Sequence, residues 1–451
     1  MHSEIKKMDR LKRGMSNTRI IALSFALVIL IGALLLCLPI SSREGVWTHP
    51  VNALFTATTS TCVTGLVVEN TGTYWSIFGQ AVILVLIQVG GIGFMTILTL
   101  FSFFLRHRIS LHDRSLLQES AGSLDLRGVS ATFRQIILGT LLIEGLGAWL
   151  LSLRFYPQFG KKGIWYAIFH SVSMFCNGGI DLLGAEGSSS FAMYRDDPLV
   201  SGTVMFLVVM GGLGFLVWDD LLRNFFRPKK LQLHTKLVLS VTAILLVIGW
   251  LGIYLTERNA SMAALSEPQK IWASLFQSVT TRTAGASTID QATLSDSGSL
   301  LSMMLMLVGG SPGSTAGGVK TTTAAVFLLC SWQLARNRED VTVFKRRIDN
   351  RIVRQAGAVI CFYVMAVLLS TALICAIEPF GLREVLYETV SAIATVGLSM
   401  NLTPMLGWGS KLLLVLLMYA GRLGGLSIFL AMRESADNAP LERPVEKILI
   451  G

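Results

Sequence analysis

Long apolar runs alternate with short stretches rich in glycine and hydroxyl side chains along the 451-residue chain. A helix that crosses a bilayer needs about 20 mostly apolar residues. Residues 19–40, 76–105, 132–153, 200–222, 237–255, 354–377 and 411–432 meet that need, and 299–332 has the length but is broken in its middle. The pattern predicts eight spans, with both ends of the chain on one side. The first run follows a basic start, but Leu38-Pro39-Ile40-Ser41 does not look like a small-residue cleavage site. It therefore predicts a retained helix rather than a signal peptide.

After the first, third, fifth and seventh runs comes a segment too apolar for an open loop and too short to cross. The four read Phe55-Thr56-Ala57-Thr58-Thr59 before Gly65, Phe169-His170-Ser171-Val172-Ser173 before Gly179, Phe276-Gln277-Ser278-Val279-Thr280 before Gly285, and Tyr387-Glu388-Thr389-Val390-Ser391 before Gly397. Each set is aromatic, polar, small, β-branched, hydroxyl. The glycines are 114, 106 and 112 residues apart, and each is followed by a glycine cluster in the next run: Gly90-Gly91-Ile92-Gly93, Gly211-Gly212-Leu213-Gly214, Gly309-Gly310, and Gly421 with Gly424-Gly425. Glycines aid packing in membrane helices generally, but four matched sets at a matched interval imply an internal repeat. The predicted fold is an all-α membrane protein of four covalently linked repeats, each helix, half-helix, glycine-ended loop and helix, around a pseudo-fourfold pore. The expected boundaries are a cytoplasmic N-terminus at 1–18, repeats at 19–106, 131–227, 236–334 and 354–433, and a cytoplasmic tail at 434–451.

Composition agrees and narrows the picture. The chain is 52% hydrophobic and 15% charged, against roughly 25% charged in soluble domains, so it cannot cover several globular surfaces. The net charge of +10 admits nucleic-acid binding until the charges are placed. Of the 38 Lys and Arg residues, 26 fall on the side that holds both termini, and the acidic residues divide about evenly. Basic excess marks the cytoplasmic face, so the charge is a topology signal. It indicates a multi-pass protein of the cell membrane with both termini cytoplasmic, and no nucleic-acid partner. The six cysteines include no CxxC, and the six histidines form no HExxH.

Irregular backbone at membrane depth is tolerated only where it is buried in protein or lines a water-filled cavity. Four re-entrant loops converging on one axis would present backbone carbonyls, and rings of carbonyls replace the hydration shell of a potassium ion. The loops are Cys62-Val63-Thr64-Gly65, Cys176-Asn177-Gly178-Gly179, Arg282-Thr283-Ala284-Gly285 and Ala394-Thr395-Val396-Gly397. They carry no carboxylate ring and no His/Cys set for a transition metal, which points to backbone coordination of a monovalent cation.

The broken eighth run reads Gly309-Gly310-Ser311-Pro312-Gly313-Ser314-Thr315-Ala316-Gly317-Gly318. Proline removes a donor and each glycine costs about 1 kcal/mol against alanine, so this stretch is expected as a loop in the pore, with 310–317 blocking permeation when ordered. Arg422 is a costly charge at membrane depth. Arg282 is expected to hydrogen-bond loop carbonyls rather than the ion, Lys320 to snorkel to the cytoplasmic edge, and Glu144 has a helix-interface carboxyl as its default.

These residues resemble the membrane subunit of the Ktr/Trk/HKT potassium-uptake family, of KtrB/KtrD type. The resemblance covers about 20–433 and is carried by Thr64-Gly65-Leu66, Thr281-Arg282-Thr283-Ala284-Gly285, Thr395-Val396-Gly397-Leu398 with Leu402-Thr403-Pro404, and Val89-Gly90-Gly91-Ile92-Gly93-Phe94-Met95-Thr96. Departures fall at Cys176 to Ile180, where relatives usually carry Asn-Asn-Ala-Gly-Phe, and at Ala286, where an aromatic is usual. The resemblance implies a cation-selective pore, an intramembrane gating loop at 310–317, and Arg422 facing the pore. It further implies a homodimer on a cytoplasmic octameric ring of nucleotide-binding RCK subunits (KtrA or KtrC type), with the nucleotide on that ring and no cofactor on this chain. Anionic membrane lipid is a further candidate for the basic loops. The alternatives are the potassium-binding subunit of an ATP-driven pump, which would need more spans, and a sodium-coupled secondary transporter, whose inverted repeats would alternate in orientation. A membrane enzyme would need more ionisable groups at mid-membrane than Glu144, Lys320 and Arg422, so the reading is not an enzyme.

Overall fold

The computed structural model describes residues 17–93, 129–187, 190–224, 228–338 and 340–424. Residues 1–16 of the expected cytoplasmic N-terminus, the end of the second run beyond Gly93, and the tail lie outside the described residues, and the first helix begins at Asn17, inside the expected N-terminus.

Four long helices, α1 (Asn17–Cys37), α4 (Val129–Phe159), α8 (Leu233–Glu257) and α12 (Asn350–Ile377), begin the four matched stretches. They are long and apolar enough to cross a membrane, and they carry most of their large apolar side chains outward, as with Leu23, Leu27, Leu30 and Leu34 on α1. Such a face is stable only against lipid or another chain. Each is followed by a short helix: α2 (Pro50–Thr61), α5 (Lys161–Phe175), α9 (Glu267–Thr280) and α13 (Leu382–Ile393). These short helices are buried along most of their length towards their C-terminal ends.

The helices that follow are shorter than the apolar runs predict. They are α3 (Ile77–Ile92), α6 (Pro198–Leu213) continued after a break by α7 (Phe215–Asn224), α10 (Asp296–Leu307) continued after the 309–318 loop by α11 (Thr321–Leu334), and α14 (Trp408–Leu423). Ser76, Asp197 and Ser295 cap the starts of α3, α6 and α10 through side-chain oxygens, which satisfies amides that a helix leaves unpaired. Three of the four stop at a glycine with positive φ: Gly93 (92°), Gly214 (90°) and Gly424 (82°). The expected straight span 200–222 is therefore corrected: α7 turns away from α6 by 94°. A two-stranded hairpin, β1 (Thr342–Val343) and β2 (Arg346–Arg347), links α11 to α12 with Thr342 opposite Arg347.

Packing closes on itself. The second helix of each stretch packs on the short helix of the next: α3 on α5, α6 on α9, α10 on α13, and α14 back on α2. The largest core runs through these contacts, with Phe55, Phe169, Phe276 and Tyr387, the aromatic that opens each motif, all buried in it.

Candidate permeation site

Each short helix ends in the same backbone turn. Two residues before the motif glycine, Val63, Asn177, Thr283 and Thr395 have φ of 56°, 60°, 67° and 51°, and Gly65, Gly179, Gly285 and Gly397 have φ of 99°, 63°, 76° and 92°. A left-handed conformation at a β-branched residue costs on the order of 1–3 kcal/mol and persists only where its surroundings impose it. The surroundings here are visible. The motif hydroxyl braces the loop in every case: Gly65 N donates to Thr59 Oγ1 and Gly397 N to Ser391 Oγ, both at 3.0 Å, while Ser173 Oγ donates to Ile180 O at 2.7 Å and Thr280 Oγ1 to Ala286 O.

The motif's polar second position does the same for the outer chain in three of the four. His170 Nε2 accepts from Leu182 N at 3.1 Å, Gln277 Nε2 donates to Gln291 Oε1 at 2.6 Å, and Glu388 accepts from Leu402 N (3.3 Å), Thr403 Oγ1 (3.0 Å) and Ser399 Oγ. The third position ties the short helix to the long one, through Ser171 Oγ to Glu144 O (2.6 Å), Ser278 Oγ to Leu246 O (2.8 Å), and Thr389 Oγ1 with Thr371 Oγ1 (2.7 Å).

The four loops come together. A methyl group on Gly65 would stand 3.0 Å from Gly179 Cα, one on Gly179 would stand 2.9 Å from Gly285 Cα, one on Gly285 would stand 3.3 Å from Gly397 Cα, and one on Gly397 would stand 2.8 Å from Gly65 Cα. Glycine is needed because backbones this close leave no room for a side chain. On one side of the four glycines lies a cavity of about 220 Å³, lined among others by all four and by Asn70, Asp181, Ser287 and Asn401.

On the other side lies the 309–318 loop. Its amides and carbonyls are taken up by neighbours from the rest of the chain. Ser311 N donates to Gly212 O (3.0 Å) and Thr315 N to Gly211 O (3.3 Å), the last-turn carbonyls of α6, and Phe215 N at the head of α7 donates to Gly313 O (2.9 Å). Thr315 Oγ1 donates to Phe175 O at the end of α5 (3.1 Å). Methyl groups on Gly309 and Gly317 would meet the Thr283 and Thr395 side chains, so the loop lies directly under two of the left-handed residues.

Three cations converge on this loop. Arg422 Nη1 donates to Thr315 O, and its Nη2 to Gly90 O and, at 3.2 Å, to Gly91 O. Arg282 Nη2 donates to Gly309 O (3.0 Å), a carbonyl of this loop rather than of the glycine-ended loops. Lys320 Nζ turns back to Ala316 O (2.6 Å) instead of extending to the cytoplasmic edge as expected. Among the described residues, the side chains of all three donate to backbone carbonyls. Glu144 lies between α4 and α3 against Gln88, a helix-interface carboxyl as expected; what sequence alone missed is its contact with the second loop through Cys176 and the pairing of Arg422 with Gly90 and Gly91. A carboxyl inside an apolar run was the only available signal for the first.

Residues 4–440 match the family model described as TrkH, cation transport protein. The chain belongs to the TrkH cation-transport family. Within this TrkH family it is 38% identical to the potassium/sodium uptake protein NtpJ of Enterococcus hirae, over 98% of this chain and 99% of that protein. It is 36% identical to the Ktr system potassium uptake protein B of Bacillus subtilis, over 93% and 94% of the two chains. The TrkH potassium transporter structure from Vibrio parahaemolyticus superposes with a TM-score of 0.72 at 16% identity, covering 93% of this chain and 85% of that one, which shows a shared fold.

Proposed function

We propose that this chain is the membrane subunit of a potassium-uptake system, and that its four stretches are quasi-equivalent repeats around one permeation axis. The observation that carries the reading is the ring of Gly65, Gly179, Gly285 and Gly397, each reached through the same left-handed turn. Alternating left-handed residues turn successive carbonyls of Cys62 to Gly65, Cys176 to Gly179, Arg282 to Gly285 and Ala394 to Gly397 toward the axis, where they replace the water of a dehydrated potassium ion. The ion arrives from the cavity above the ring. The C-terminal ends of α2, α5, α9 and α13 point their partial negative charge at it.

The 310–317 loop is the gate and is closed in this conformation. It stops ions because it fills the path below the ring, and Arg422 holds it there while adding a positive charge beside the route. A homodimer seated on a cytoplasmic ring of nucleotide-binding RCK subunits completes the system, with both termini of this chain on the cytoplasmic side. The test is rescue of potassium-auxotrophic cells by the wild-type chain, with rubidium and sodium as competitors. Rescue with rubidium competing strongly and sodium weakly is the expected result; failure to move potassium in cells that carry the folded protein refutes the reading.

A further inference from the structure

We propose that Glu144 is a positioning residue for the second loop of the ring, acting through the thiol of Cys176. The inference rests on reading Cys176 to Gly179 as part of the ion path. Glu144 lies on α4 and is 5% exposed. Its Oε2 accepts from Gln88 Nε2 of α3 at 3.1 Å, and its Oε1 stands 3.8 Å from Cys176 Sγ, which also lies 3.7 Å from Gln88 Oε1. The thiol sits against Gly91, where a methyl group would come within 2.6 Å of the sulfur. Cys176 is thus held on three sides at the residue where its own carbonyl turns into the loop. The backbone of Glu144 adds a further hold, accepting from Ser171 Oγ in the preceding turn of α5.

Packing alone does not explain a carboxyl here. Among the described residues no basic side chain forms an ion pair with Glu144, and an uncompensated carboxyl at membrane depth is costly. A leucine would fill the same space. What a leucine lacks is acceptor oxygens for the Gln88 amide and the Cys176 thiol, and those contacts fix the second loop. The same turn of α3 offers Gly90 O and Gly91 O to Arg422, so Gln88 to Gly91 joins the second loop on one side to the gate on the other.

The experiment measures rubidium and potassium uptake kinetics, with sodium competition, for the wild-type chain, Glu144→Ala, Glu144→Gln, Cys176→Ala and the Glu144→Ala/Cys176→Ala double variant at matched membrane abundance. Glu144→Ala is expected to raise the KM for potassium about tenfold with little change in maximal rate, the low end of the loss when an orienting neighbour of a metal site is removed. Glu144→Gln, whose one carbonyl oxygen can still accept from Gln88 while its NH2 faces the Cys176 sulfur, is expected to keep KM closer to wild type than Glu144→Ala does. Cys176→Ala shifts KM in the same direction, and the double variant shifts it no further than the larger single effect. If Glu144→Ala does not accumulate, Gln88→Leu, which removes both the donor to Glu144 Oε2 and the Oε1 beside the Cys176 thiol, is expected to shift KM in the same direction. Unchanged KM and sodium competition in the variants that reach the membrane, or effects that add in the double variant, overturn the proposal. A wild-type chain that moves no potassium sinks the transport reading instead, so the two failures are distinct.

Discussion

Replacing Arg422 with alanine separates what holds the gate from what merely surrounds it. The guanidinium spans the 310–317 loop proposed as the gate and α3, donating to Thr315 O on one side and to Gly90 O and Gly91 O on the other. In the proposed opening only the first of these bonds is lost, so of the three it alone would bias the closed state. A hydrogen bond from a charged donor contributes about 1.5–3 kcal/mol, and about 1.4 kcal/mol is a factor of ten. Arg422→Ala should therefore shift the closed-to-open balance by about 10- to 100-fold, and it also removes a positive charge from beside the route. Thr315→Val removes one neutral bond, to Phe175 O, which corresponds to about fivefold. Arg422→Lys should fall between, since an ammonium can reach one carbonyl but cannot fork across three. The assay is rubidium flux into proteoliposomes holding the membrane subunit alone, normalised to folded protein. Flux that is unchanged or lower in Arg422→Ala, or a larger effect from Thr315→Val, refutes the assignment of Arg422 as the latch.

Deleting 311–316 should raise flux in the same assay at least as far as Arg422→Ala, because it removes the plug itself; a folded deletion variant with wild-type flux counts against gating. Gly214→Ala tests the break between α6 and α7: at φ 90° a side chain is strained, and its Cβ would stand 2.8 Å from Pro312 O. Straightening the helix would also return the Gly211 and Gly212 carbonyls, now held by Thr315 N and Ser311 N, to helical partners. The expected outcome is higher flux and faster proteolysis within the loop. Gly285→Ala puts a methyl group 2.6 Å from Val396 O and 2.9 Å from Gly179 Cα, so potassium uptake should be abolished while the protein still reaches the membrane, read by rescue and by membrane abundance.

Local chemistry announces itself along the chain. Hydropathy marks the four long helices, because each must offer lipid an apolar surface over its whole length. The motif before each glycine is legible because its residues act within a few positions of one another: Thr59 braces Gly65, and Ser391 braces Gly397. The loop at 309–318 is equally plain, since so many helix breakers in a row permit nothing else. The gathering of four glycines from distant parts of the chain was inferable only through the repeat, which substitutes for contact information.

Contacts between stretches left no such trace. The run 200–222 is apolar on both sides of Gly214, and one glycine costs a helix only about 1 kcal/mol. The break there is decided by the loop at 311–315, which takes the carbonyls that a continuous helix would use. Arg282 and Lys320 find carbonyls of the same loop, and no spacing rule connects them. Glu144 and Gln88 lie on two different helices and Cys176 in the loop that ends a third, and they meet only because α3 packs on α5 beside α4. Sequence determines what each segment must do with its own backbone and with lipid; the tertiary structure alone decides which carbonyls are left over at the helix breaks, and therefore what the charges in the membrane hold on to.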